Sequence, residues 1–74
     1  MQPENHALSP AEKLMAGLLL TDVDLAELLD VSLQTTRNWR WRGQGPRYVK
    51  VGARMVRYHP ADVIAFIDGR VSAP

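Results

Sequence analysis

The chain has 74 residues, enough for one domain whose core is small and only marginally stable unless it is stapled or oligomeric. It contains no cysteine, which excludes disulfides and thiolate metal sites and fits a reducing cytoplasm, and its hydrophobic content of 46% argues against wholesale disorder. The net charge of +1 hides a separation: Arg37, Arg40, Arg42, Arg47, Lys50, Arg54 and Arg57 fall in a stretch free of Asp and Glu, and all eight acids lie outside it.

Met1–Leu8 carries Pro3 and polar residues without a period and reads as a loose arm. Ser9-Pro10-Ala11-Glu12 is a helix start: Ser9 can cap, Pro10 suits the first helical position and Glu12 closes a capping box. A short helix to about Ala16 or Leu18 follows, weakened at its end by Gly17. Leu14–Leu20 is the longest apolar run and is too short to cross a bilayer. Glu4 stands where the basic segment of a secretory signal would be, so neither a signal nor a membrane partner is expected.

Thr21 opens a second helix, with Asp22 and Asp24 complementing the dipole of its first turn. Leu25, Leu28 and Leu29 form a buried stripe with Val23 and Ala26 at its margins, and Asp30-Val31 breaks the pattern. Ser32 caps a third helix from Leu33 to about Arg42, stopped at Gly43. Two helices joined by so short a turn make a helix-turn-helix pattern. On the third helix Thr36, Trp39 and Gly43 share a face that packs on Leu25 and Leu29, with Arg40 at its edge. Gln34, Arg37, Asn38 and Trp41 share the free face, flanked by Arg42.

Gln44-Gly45-Pro46 is a loop. Tyr48–Val51 and Val56–Tyr58 alternate with period two and read as strands of a hairpin. A four-residue connection, Gly52–Met55, places Val51 opposite Val56, Val49 opposite Tyr58 and Lys50 opposite Arg57, with room for an anion between the two cations. His59-Pro60 starts a last helix with Val63, Ile64, Phe66 and Ile67 on its buried face and Gly69 at its end. The expected organisation is an arm (1–8), one domain (9–69) and a tail (70–74). The fold class is mainly α with a small β-hairpin.

No catalytic constellation emerges. His6 and His59 lack partners at metal-ligand spacing, the carboxylates Asp22, Asp24, Glu27 and Asp30 fit helix ends and a solvated face, and no phosphate loop or nucleophile elbow is present. No enzyme activity, cofactor, metal or small-molecule ligand is expected. The basic stretch calls for a polyanion, and double-stranded DNA fits best. Gln34, Arg37 and Asn38 are the side-chain types that make bidentate pairs with base edges in the major groove. Ser32 and Thr35 can donate to phosphates at the helix N-terminus, and the cationic hairpin suits a groove or backbone contact. Trp39 and Tyr58 are assigned to the core, and Trp41 points outward, toward a sugar or phosphate or a protein partner.

The order of motifs resembles a known family. Leu20-Thr21-Asp22, Leu25–Leu29, Val31-Ser32, Thr35-Thr36, Trp39, Gly43 and Gly45-Pro46 are followed by Val49–Gly52, Val56–Tyr58, Ala61–Val63 and Phe66-Ile67. Across about Leu20–Asp68 this is similar to the small MerR-like winged-helix proteins, in particular the excisionase and AlpA-like group of phages and other mobile elements. The resemblance implies a winged helix-turn-helix in a bacterial cytoplasm, here with an additional short N-terminal helix that either forms a dimer surface or covers one side of the domain. It implies a major-groove role for Gln34, Thr35, Arg37 and Asn38, and wing contacts for Lys50, Arg54 and Arg57. With Ser32, Trp41 and Arg42 these complete the expected DNA-binding set. Arg40 departs from the family pattern, in which an apolar residue is usual.

Four functions compete. An excisionase, or recombination directionality factor, binds tandem sites cooperatively with other copies of itself, bends DNA and turns a cognate integrase toward excision. A phage or mobile-element transcriptional regulator uses the same fold on a promoter. The chain ends soon after its last expected helix, which disfavours the long dimerisation helix of ligand-sensing MerR activators and the assembly segment of a DNA-packaging component. A protein-interaction module would use Trp41 and Leu14–Leu20, and the acid-free basic stretch argues against it.

Overall fold

The computed structural model describes residues 8–70; the expected arm up to residue 7, with His6, and the expected tail from residue 71 lie outside them. Among the described residues, four helices and one hairpin follow in chain order: α1 (Pro10–Ala16), α2 (Asp22–Leu29), α3 (Leu33–Arg42), β1 (Val49–Lys50), β2 (Val56–Arg57) and α4 (Pro60–Gly69).

The helix ends follow from local chemistry. Ser9 and Glu12 close a capping box on α1, and Thr21 and Asp24 close another on α2. Ser32 caps α3 by accepting the Thr35 N–H at 3.1 Å. Gly17 and Gly43 terminate α1 and α3 in the left-handed region that glycine enters without steric cost. Asp30 takes the same role for α2 at φ 56°, a conformation that aspartate tolerates better than most residues. The last helix differs from expectation in a detail: Gly69 is its final residue and Arg70 its cap.

The core is Leu20, Leu25, Val56, Tyr58 and Val63, with Leu14, Leu28, Leu29 and Ile67 packed against it. Leu20 and Tyr58 exchange backbone hydrogen bonds of 2.9 and 2.8 Å, so the segment entering α2 lies along β2. The pair α2 and α3 forms the helix-turn-helix, and α1 packs on both α2 and α4. A Lys13–Asp24 ion pair of 2.8 Å fastens α1 to the start of α2. The N-terminal helix thus covers one side of the domain. Of the run Leu14–Leu20, Leu20 is fully buried and Leu14 is half-buried, while Leu18 and Leu19 stay exposed. On α4 the expectation fails at Ile64, which is 44% exposed, because Val63 and Ile67 already turn the helix toward the core.

The hairpin register differs from the expected one by one residue. Val49 lies opposite Arg57 and Lys50 opposite Val56. The turn is closed by the Val51 N–H donating to the Met55 carbonyl at 2.9 Å, leaving Gly52–Arg54 as the connection. Closure on Met55 in place of Val56 shifts β1 by one position, while β2 keeps its expected facing. Val56 and Tyr58 both enter the core, so their neighbours Met55 and Arg57 must face away from it. Directly opposed residues share a face, which puts Val49 and Val51 outside with Met55 at 38%, 46% and 51% exposure. Lys50 and Arg57 therefore project from opposite faces, and the expected anion slot between them is absent.

Candidate nucleic-acid interface

The free face of α3 is built by the packing of its other face. Thr36 is buried, and its hydroxyl is satisfied by donating to the Leu33 carbonyl at 2.9 Å. Trp39 is half-buried with its ring centroid 5.4 Å from that of Phe66 on α4. Gly45 passes so close that an added Cβ would lie 3.1 Å from the Trp39 Cβ, which leaves little room there for a side chain. With those positions turned inward, Gln34, Arg37, Asn38 and Trp41 face solvent, and Trp41 is 89% exposed.

One shallow groove runs between this face and the hairpin. It is lined by Gln34, Arg37, Asn38, Arg40, Trp41, Tyr48 and Lys50. Five of the expected DNA-binding residues thus meet in one place: Gln34, Arg37, Asn38, Trp41 and Lys50. The Gln34 amide donates to Asn38 Oδ1 at 3.1 Å, leaving the Gln34 oxygen and the Asn38 N–H groups to face outward. Ser32 and Thr35 sit at the N-terminus of α3 with their hydroxyls 2.9 Å apart. One hydroxyl hydrogen serves that bond and the other remains for an outside acceptor. Arg42 and Arg54 are exposed and lie outside the groove. Arg57 is half-buried on the outer face of the hairpin, where its guanidinium donates to the Val56 carbonyl at 2.8 Å.

Two features escaped the reading of the sequence. Tyr48 lines the groove, which its period-two relation to Lys50 could have revealed once the register was known. The second is a polar cluster that runs from the core to the groove wall, where Arg40 lies. Arg40 Nη1 donates to both carboxylate oxygens of Asp22, and the Tyr58 hydroxyl donates to Asp22 Oδ1 at 2.9 Å. Arg40 also lies 3.5 Å from that hydroxyl and 6.0 Å from the centre of the Tyr48 ring, and Tyr48 meets Tyr58 edge-on at 6.3 Å. At the edge of the packing face Arg40 is thus tied to a carboxylate, and Asp22 does more than complement a helix dipole. Burial pushes the Tyr58 hydroxyl up to about 12, with Asp22 adding to the effect, so it stays protonated and keeps donating. The hydrogen bond to Asp22 raises the Arg40 guanidinium further above its ordinary value.

Among the described residues, no group of three His, Asp or Glu side chains could hold a metal ion, and no helix is long and apolar enough to cross a membrane. A family model described as a helix-turn-helix domain matches residues 19–71, most of the chain. The chain belongs to the helix-turn-helix domain family. The match begins just before α2 and leaves α1 outside it. No curated protein and no solved structure matches the chain. In a helix-turn-helix domain the second helix of the motif is the one that enters the major groove, and that helix is α3 here. Membership and the cationic groove together support DNA binding.

Proposed function

We propose that this helix-turn-helix protein is a sequence-specific, non-enzymatic DNA-binding excisionase: it occupies tandem sites, bends DNA and directs an integrase toward excision. The observation that carries the DNA reading is the convergence of Gln34, Arg37 and Asn38 with Lys50 on one groove inside an acid-free stretch. The amide and guanidinium groups suit base edges, and Lys50 with the exposed Arg54 suits phosphates, the hairpin acting as a wing. Ser32 and Thr35 fit a phosphate at the α3 N-terminus, and Arg42 adds to the field. Arg57 contributes through its charge from the outer face.

The excisionase role is supported by the order of motifs from Leu20 to Asp68. A single module of this size buries only about 600–1,000 Å² of its surface on DNA, so one copy alone binds weakly and selects poorly. Cooperative neighbours on adjacent sites correct this and bend the duplex between them. The wing tip (Gly52–Met55) and Trp41 are exposed and free for such contacts. The test mixes the protein with an integrase from the same mobile element and DNA carrying the two hybrid attachment sites. Excision should depend on the protein, and integration should be inhibited. Recombination that ignores the protein, with a nearby promoter that responds to it, would instead identify a transcriptional regulator.

A further inference from the structure

The seven cations of the acid-free stretch are not equivalent. Among the described residues, Arg40 alone of the seven pairs with a carboxylate, and it does so across three elements. Asp22 is the first residue of α2, Arg40 belongs to α3, and Tyr58 follows β2. The Arg40 and Asp22 side chains are only 24% and 16% exposed. Tyr58 is 1% exposed and is joined to Leu20 through the backbone, so one end of the cluster is fixed in the core. The other end reaches the groove: Arg40 forms part of its wall, with its guanidinium 6.0 Å from the centre of the Tyr48 ring beside Lys50.

We propose that Arg40 is a positioning residue which, held by Asp22 and Tyr58, fixes the hairpin against α3 and so sets DNA sequence preference without contacting DNA. This rests on the DNA-binding reading above. The physical reason is geometric. Base readout demands that Gln34, Arg37 and Asn38 reach base edges while Lys50 reaches the backbone, and bidentate pairs tolerate little displacement. The hairpin itself has only two residues in each strand and a three-residue turn, so it cannot hold that spacing alone. A partly buried guanidinium bridging a carboxylate, a phenol and a ring supplies the missing constraint. Neutralisation by Asp22 also withdraws one positive charge from the phosphates.

The experiment measures affinity by fluorescence anisotropy, over a series of salt concentrations. The probes are a duplex selected from genomic fragments and a scrambled duplex of equal length. Arg40→Met, which keeps an apolar stem, should leave the slope of log affinity against log salt unchanged while preference for the selected duplex falls about tenfold, the size of one lost base contact. Asp22→Asn keeps a helix-starting residue and releases Arg40. It should lower preference as much and steepen the slope by up to about 0.9. Tyr58→Phe should lower preference in part, and Asp22→Glu should restore it.

A slope shallower by about 0.9 in Arg40→Met would mark Arg40 as a phosphate contact and overturn the inference. Full preference retained in both Arg40→Met and Asp22→Asn would overturn it as well. If Arg40→Met does not fold, Asp22→Asn and Tyr58→Phe decide on preference alone. Failure of the unaltered protein to bind either duplex removes the DNA reading and this inference with it, which separates the two failures.

Discussion

At the scale of single residues, the two tryptophans show what position on a helix does. They are two residues apart on α3, yet Trp39 stacks against Phe66 while Trp41 is 89% exposed. Trp39→Ala should lower stability by about 3 kcal/mol, the low end of the range for a core aromatic because the ring is half-buried. Trp41→Ala should leave the melting temperature nearly unchanged and weaken DNA binding instead. Thermal melts of both variants, read beside anisotropy, check this. A similar contrast separates reading from positioning along the duplex. Arg37→Ala or Asn38→Ala should cost about 1–3 kcal/mol on a selected site and little on random DNA. Lys50→Ala or Arg54→Ala should weaken both alike. Equal losses at all four positions would mean that the free face of α3 does not discriminate bases.

At the scale of elements, the starts of α1, α2 and α3 could be read from their caps and that of α4 from Pro60, whereas the coupling between elements could not. Ser9 with Glu12 and Thr21 with Asp24 are local pairs three residues apart, and sequence spacing reveals them. The Lys13–Asp24 bridge joins α1 to α2, and no spacing rule predicts it. Burial pushes the Asp24 carboxyl up, but hydrogen bonds from Lys13 and Thr21 outweigh this and hold it below its ordinary 3.8. A carboxyl depressed in the folded state stabilises fully above its unfolded value, and that contribution disappears as pH falls through the folded value. The docking of α1 should therefore weaken below about pH 4. Asp24→Asn should remove that acid-side loss and lower stability at neutral pH. Melts across an acid series compare the two proteins, and identical profiles would show that the Lys13–Asp24 bridge does not contribute.

At the scale of the whole molecule, the field matters more than the net charge. With Arg40 paired to Asp22, the other six of the seven cations between residues 37 and 57 have no carboxylate partner among the described residues. If about five of them meet phosphates, log affinity should fall against log salt with a slope of about −4 to −5. A slope near zero would reject electrostatic association with a polyanion. The domain is also small, and its stability is divided among few contacts. The cluster of Asp22, Arg40 and Tyr58 thus serves the fold and the groove together, and substitutions there need both a melt and a binding curve.

The sequence by itself determined what depends on near neighbours and on period. Caps, glycine stops and the stripes Leu25–Leu28–Leu29 and Gln34–Arg37–Asn38 are local, so they specify the helices, the helix-turn-helix and its free face before any packing is known. Tertiary structure decided what depends on elements meeting. The hairpin slipped by one residue because its turn closes between Val51 and Met55, which reverses the facing of β1 while β2 keeps Val56 and Tyr58 in the core. That shift turned Val49 and Val51 outward and brought Lys50 and Tyr48 to the groove, while Arg57 stayed on the outer face. Arg40 looked like one more cation in a basic run, since its partners Asp22 and Tyr58 are each 18 positions away. Ion pairs across such separations form only after the chain has brought the elements together, and no periodicity in the sequence reports them.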